Sequence, residues 1–284
     1  MARMIRLTAL WAALTAAACG ASPSSSDVAP AQALDQAAAA TADGRLADAR
    51  SAAGQVAEAP PPDAASLPAH GRLQDVWVLL RFGRWDEVAD TAKPSSASLL
   101  EVALWEYAQA SAAAAAGRIP EATRHQRAFE VAAGAVAPDT RVSTHNAARA
   151  VLQVATLDLA ARMDWARGDV PKAMLGWSRA VAAEDALAPA DPPDWPLPGR
   201  ERLGMALLTL KNGQQAEAVF RTELERHPDN ARALYGLAEA LGLQGRTDDA
   251  AEARRRFDER WHGDGAPIPE ILDGRQRAQR SSSR

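Results

Sequence analysis

The sequence predicts an all-α protein, a solenoid of two-helix hairpins stacked one after another. Three observations carry that expectation. Between Arg200 and Trp261 one unit is written twice, since Leu203, Gly204, Leu207 and Ala216 recur at the same offset (203 to 237) as Leu237, Ala238, Leu241 and Ala250. A unit of that length is one hairpin of two helices, too small to bury its own apolar face, so it must stack on copies of itself. A second signature, Gly-Arg or Gly-Asp with Ala or Val five residues after the Gly, runs through the whole chain. It occurs at Gly44-Arg45, Gly83-Arg84, Gly117-Arg118, Gly168-Asp169 and Gly245-Arg246, with Ala49, Val88, Ala122, Ala173 and Ala250 following. Gly suits the left-handed residue that ends a first helix, and Pro120 and Pro171 sit where a second helix would start. Finally, 284 residues with 47% apolar and only 5% aromatic content can bury an extended helical core, but lack the enrichment of a large sheet.

The doubled unit resembles the tetratricopeptide repeat, whose signature is a large residue, Leu-Gly, a large residue, Ala and an aromatic four apart, then Pro. In the first copy these are Leu203-Gly204, Leu207, Ala216, Phe220 and Pro228, with Arg200 in place of the opening large residue. The second copy keeps Leu234, Leu237-Ala238, Leu241 and Ala250, but has Arg254 for the aromatic and His262 for the Pro. Such losses fit a terminal repeat, which has no successor and turns a polar face to water. The resemblance implies a right-handed α-solenoid. Strings such as residues 81–87 and 191–196 are similar to those of uncharacterised bacterial tetratricopeptide proteins, which implies a fold and no activity.

In chain order, residues 1–18 read as a signal peptide. Arg3 and Arg6 precede an apolar run from Leu7 to Ala18, too short to span a membrane comfortably and ending in small residues. Cys19, the only cysteine, opens a Ser/Pro-rich linker over residues 19–30. The arrangement resembles the lipobox of bacterial lipoproteins, with Ala16 where Leu is common and Leu14 two residues further back. Lipidation at Cys19 would place the protein on the periplasmic side of the outer membrane. Ordinary signal cleavage would leave it soluble in the periplasm with one unpaired thiol.

Residues 31–62 read as a degenerate helix pair around Gly44-Arg45, closed by Pro60-Pro61-Pro62. It is either a first repeat or a partly helical spacer. A linker at 63–72 precedes the main array of about five helix pairs at 73–262. Two insertions break its rhythm. Around Gly134 to Thr144 the chain carries extra residues, with Ser143 or Thr144 placed to cap a long helix towards Arg167. From Ala186 to Gly199 five prolines surround Trp195 and exclude a helix. At the corresponding point of the first unit the expected glycine turn is replaced by Lys211-Asn212-Gly213, which reads as a shifted turn. Residues 263–284 form a tail, basic at its end and expected to be mostly disordered.

Catalytic motifs are not found. The chain has no nucleophile elbow, zinc helix, P-loop or dinucleotide-binding glycine pattern, and its cysteine lies at the processing site. The five histidines are scattered, so neither a metal site nor a cofactor is expected. A net charge of -4 without a basic stripe argues against nucleic acid. Trp77, Trp85, Trp105, Trp165, Trp177 and Trp261 fall at helical positions suited to core packing. Trp195 either plugs a gap between repeats or closes over a ligand.

The resemblance implies that the first helix of each hairpin lines a concave groove. Carried over by register, the inward positions are Tyr107, Ser111, Asp158, Arg162, Trp165, Glu201, Met205, Tyr235 and Glu239, a mixture that suits a peptide. The Lys/Asn/Arg set with which some relatives clamp a C-terminal carboxylate does not occur at these positions. The expected function is a non-catalytic scaffold of the cell envelope that binds a protein or peptide segment. The alternative is a periplasmic protein that binds a small molecule or glycan, with the Trp195 loop as a lid.

Overall fold

A computed structural model describes residues 30–57, 71–94 and 98–263. The expected signal peptide, Cys19, and residues 20–29, 58–70, 95–97 and 264–284 lie outside the described residues, and the end of the linker expected at 63–72 is described as a 3-10 turn, Gly71–Leu73. Twelve α-helices follow one another in successive pairs, and no strand occurs among the described residues. The pairs are α1 (Pro30–Ala42) with α2 (Leu46–Ala57), α3 (Gln74–Arg81) with α4 (Trp85–Ala89), and α5 (Leu99–Ala115) with α6 (Ile119–Gly134). Then come α7 (Ala148–Arg167) with α8 (Val170–Asp185), α9 (Gly199–Thr209) with α10 (Gly213–Arg226), and α11 (Ala231–Leu243) with α12 (Thr247–Asp258).

The same turn closes every pair. The residue after each glycine returns its amide to a carbonyl five positions back: Arg45 to Ala40, Arg84 to Leu79, Arg118 to Ala113, Asp169 to Asp164 and Arg246 to Leu241. Each glycine itself is left-handed, with φ between 66° at Gly83 and 85° at Gly168. This is the paired 6→1 and 5→2 bonding that satisfies the last carbonyls of a helix. The turn at Lys211 is not shifted. Asn212 bonds back to Leu207 at 2.9 Å, and Lys211 takes the glycine position with φ 59°. Asn212 then caps α10 by accepting from the Gln215 amide. The register survives because the hydrogen bonds fix the turn, and the lysine absorbs the backbone strain.

First helices pack on first helices: α1 on α3, α3 on α5, α5 on α7, and α9 on α11. The pair α1–α2 therefore belongs to the array, packing through Ala37, Ala40, Ala49, Ala52 and Ala53 against Val78 and Phe82. At the α7/α8 to α9/α10 join, α8 packs on α9, and Trp195 of the Pro-rich segment packs on Trp77 of α3 and Tyr107 of α5. The small residues work as their positions suggest. Ala216 is fully buried, and a Cβ at Gly204 or Gly236 would lie 2.4 or 2.1 Å from the Phe220 ring. The cap expected from Ser143 or Thr144 is absent. α7 starts at Ala148 without a side-chain cap, because its N-cap position is Ala147, while Ser143 lies outside the helix and donates to Asp194 at 2.5 Å.

The first pair also meets the last. The Arg232 guanidinium on α11 donates to the Thr41 carbonyl at 2.7 Å, and the His262 amide donates to the Asp43 carbonyl at 2.8 Å. Trp261 lies against Gly44. Contacts across 191 residues thus join the two ends of the described array.

A left-handed conformation costs an L-residue about 1–2 kcal/mol, partly offset by the extra unfolded-state entropy of glycine. Lys211→Gly is expected to raise stability by about 0.5–1 kcal/mol. Gly245 has open space around its α-carbon, so Gly245→Ala probes φ alone and should lower stability by a similar amount. Urea unfolding of the two variants checks both signs.

Candidate functional site

The inner side of the array holds a buried polar network built from the first helices. Tyr107 on α5 donates its hydroxyl to Asp158 Oδ2 on α7 at 2.5 Å, and Arg162, one turn along, donates Nε to the same oxygen. Burial pushes the Tyr107 hydroxyl well above its usual pKa. Burial alone would lower Arg162, but Asp158 beside it holds the guanidinium above its ordinary range. Arg81 at the end of α3 pairs with Glu201 on α9 at 2.9 Å, and Asn230 Nδ2 adds a bond to Glu201 at 3.1 Å. Arg232 lies over the rings of Phe82 and Trp261, at 5.2 and 5.0 Å.

One guanidinium in this network leaves two of its donors unused, although Asp158 and Glu201 lie near it. Arg202 on α9 has Nε and Nη1 shut off from solvent with no hydrogen-bond partner among the described residues. Burial, with Arg162 beside it, pushes its pKa down to about 9. It lines a cavity of about 30 Å³ together with Arg81, Asp158, Arg162, Glu201, Leu80, Leu197 and Pro198.

The Pro-rich segment is pinned rather than loose. Asp194 Oδ2 accepts from Ser143 Oγ and from Asn146 Nδ2, and Asn146 bonds both the carbonyl and the amide of Ala188. These bonds hold Trp195, 3% exposed, edge-on to Trp77 and Tyr107 at 6.0 and 5.4 Å between ring centres. Trp195 is thus part of the core. Its other side, with Trp77, Pro192, Pro193, Pro196, Pro198, Val78, Ala38 and Thr41, walls an apolar chamber of about 180 Å³.

The nine expected groove positions divide into two groups. Tyr107, Ser111, Asp158, Arg162, Trp165 and Glu201 are buried. Trp195 of the Pro-rich loop packs on Tyr107, and Glu201 is tied to Arg81 of the second hairpin. Trp165 packs on Trp177 at 5.3 Å. Those six are therefore buried in this conformation, and of them Asp158, Arg162 and Glu201 also line the small cavity. Met205, Tyr235 and Glu239 remain accessible and border one open pocket of about 250 Å³, with Leu208, Thr209, Lys211 and Leu243. Repeat register locates inward positions, but Arg81, Arg202 and Arg232 carry no motif that marks them. Their contacts come from hairpins far apart in sequence.

Among the described residues no group of three or more His, Cys, Asp or Glu is placed to hold a metal. No helix among them is long and apolar enough to cross a membrane. No protein-family model matches the chain, and a comparison with curated proteins finds no match.

One carboxyl gives the fold a pH dependence. Glu184 at the end of α8 accepts from the Gly199 amide at 2.7 Å. Burial pushes it up to about 8, and nearby Glu223 reinforces the shift against the opposing Gly199 amide and Arg200. Between its ordinary value of 4.5 and about 8 the folded chain binds more protons than the unfolded one, so stability falls as pH rises through that window. Thermal midpoints are expected to drop between pH 5 and pH 8. Glu184→Gln should flatten the drop, and an unchanged slope in that variant would remove Glu184 as its source.

Proposed function

We propose that the chain is a tetratricopeptide-like, right-handed α-solenoid closed on itself, and that it is a non-catalytic interaction scaffold of the bacterial cell envelope. The export reading rests on the sequence of residues 1–18, and lipidation at Cys19 would hold the solenoid at the periplasmic face of the outer membrane. The observation that carries the scaffold reading is the pocket bordered by Met205, Tyr235 and Glu239. These residues come from adjacent first helices, as a repeat groove requires, and stay accessible where the rest of the inner side is filled.

The pocket's chemistry defines the segment it suits. Met205, Tyr235 and Leu208 offer an apolar floor, and Leu210 and Leu243 beside it are 42% and 43% exposed. Lys211 and Glu239 give the rim one charge of each sign. A short peptide with an apolar anchor and a basic residue facing Glu239 fits that arrangement. The test is capture from crosslinked envelopes with the full chain and with a Tyr235→Ala, Glu239→Lys double variant. A protein held by the wild type and lost from the folded variant supports the reading. Equal capture by both moves the surface elsewhere.

A second reading, small-molecule binding, has its own observation in the apolar chamber under Trp195. Its wall is pre-formed by the Asp194 and Asn146 bonds, so a ligand would enter without ordering the loop. Calorimetric titration with 1-octanol is expected to show saturable binding that Trp195→Ala weakens about tenfold or more. Absence of saturation with the wild type would reject this reading.

A further inference from the structure

The open pocket lies close to the point from which the last residues of the sequence depart. Phe257 on α12 stands between Tyr235, which borders the pocket, and Trp261, with ring centres 5.6 and 5.8 Å away. Trp261 and Gly263 both lie against Gly44. The residues that follow Gly263 therefore start two ring contacts from the pocket.

Their sequence matches the pocket in order. Ile268, Ile271 and Leu272 are followed by Asp273, and Pro267 and Pro269 favour an extended run. The pocket offers Tyr235 first, then Leu208 and Leu243, then Lys211 just beyond the end of α9. Lengths agree as well. Tyr235 and Leu243 are about 12 Å apart along α11 at about 1.5 Å per residue, and Ile268 to Leu272 covers about 13 Å when extended. From Gly263 to Ile268 an extended chain spans up to about 16 Å, enough to bring Ile268 onto Tyr235. Charge agrees too. Glu239 is answered by Arg254 at 3.9 Å, whereas Lys211 has no carboxylate within ion-pair distance among the described residues. Asp273 supplies one. A segment tethered this near its site acts at an effective concentration of about a millimolar, so a modest intrinsic affinity fills the pocket.

We infer that residues 268–273 of this chain occupy the pocket, with Ile268 on Tyr235, Ile271 and Leu272 on Leu208 and Leu243, and Asp273 on Lys211. This rests on the reading of the pocket as the docking surface and names its resident occupant. Glu239 stays with Arg254, so a partner that brings a basic residue to Glu239 makes a contact the tail does not, and displaces it. The pocket is covered by its own chain until such a partner arrives.

The test is titration calorimetry with a synthetic peptide of residues 264–277 on two forms of the full chain, the wild type and an Ile271→Asp, Leu272→Asp variant. The peptide is expected to bind the variant saturably and the wild type at least tenfold more weakly, because the wild-type pocket is already filled. Lys211→Glu added to the variant should weaken the peptide about tenfold, and a peptide carrying Asp273→Lys should restore the loss. That rescue also shows that the Lys211→Glu chain is folded. Equal binding to wild type and variant, lost on Tyr235→Ala, keeps the pocket as a peptide surface and overturns its occupation by the tail. Binding indifferent to both Tyr235→Ala and Lys211→Glu puts the tail elsewhere and overturns the inference. No binding to the variant overturns it too, and leaves the docking surface to be decided by the capture experiment.

Discussion

The contact between the first and last hairpins is the constraint on which the inner side depends. A stack of hairpins has two ends, and each end exposes an apolar face that must be covered. Here the ends cover one another: Arg232 reaches the Thr41 carbonyl, and Trp261 lies against Gly44. With the ends in contact, Tyr107, Asp158, Arg162 and Glu201 are buried, and buried polar side chains must find partners. Asp158, Glu201, Arg81, Arg162 and Tyr107 do so, whereas Arg202 leaves Nε and Nη1 unbonded.

The Pro-rich loop is the second part of that enclosure. Five prolines stop it from continuing α8, and Asp194 and Asn146 tie it to the short closed turn before α7. A loop held in this way places Trp195 at a fixed depth. One face of the indole fills the core against Trp77 and Tyr107, and the other shapes the apolar chamber. Of the two roles the sequence offers Trp195, its packing on Trp77 and Tyr107 is that of a plug, and its other face borders the chamber.

The fold was legible because its determinants are local. Each hairpin turn is written in a glycine and the small residue five positions on, and the pairing of helices follows from that rhythm. Lys211 was harder to read, since a lysine in a left-handed position has no sequence signature; only the spacing to Ala216 places it in register. The site was less legible. Inward register placed Tyr107, Asp158 and Arg162 on the inner side of first helices, but it reported neither their contacts nor their burial. That closure is made by pairs such as Arg81 with Glu201, 120 residues apart, and no periodicity reports such a contact. For the same reason Arg202 looked like any charged residue on a helix.

The meeting of the two ends also orders events in time. A linear stack can build outward from any hairpin, each new pair finding its cover on the one before. Here the Thr41 turn emerges early and waits for α11 and Trp261, made almost two hundred residues later. A chain delivered from its N-terminus would hold its first hairpin half-covered throughout, and would finish by docking its last. Completion is therefore a long-range step, slower than the local turns that precede it and sensitive to loss of the final hairpin.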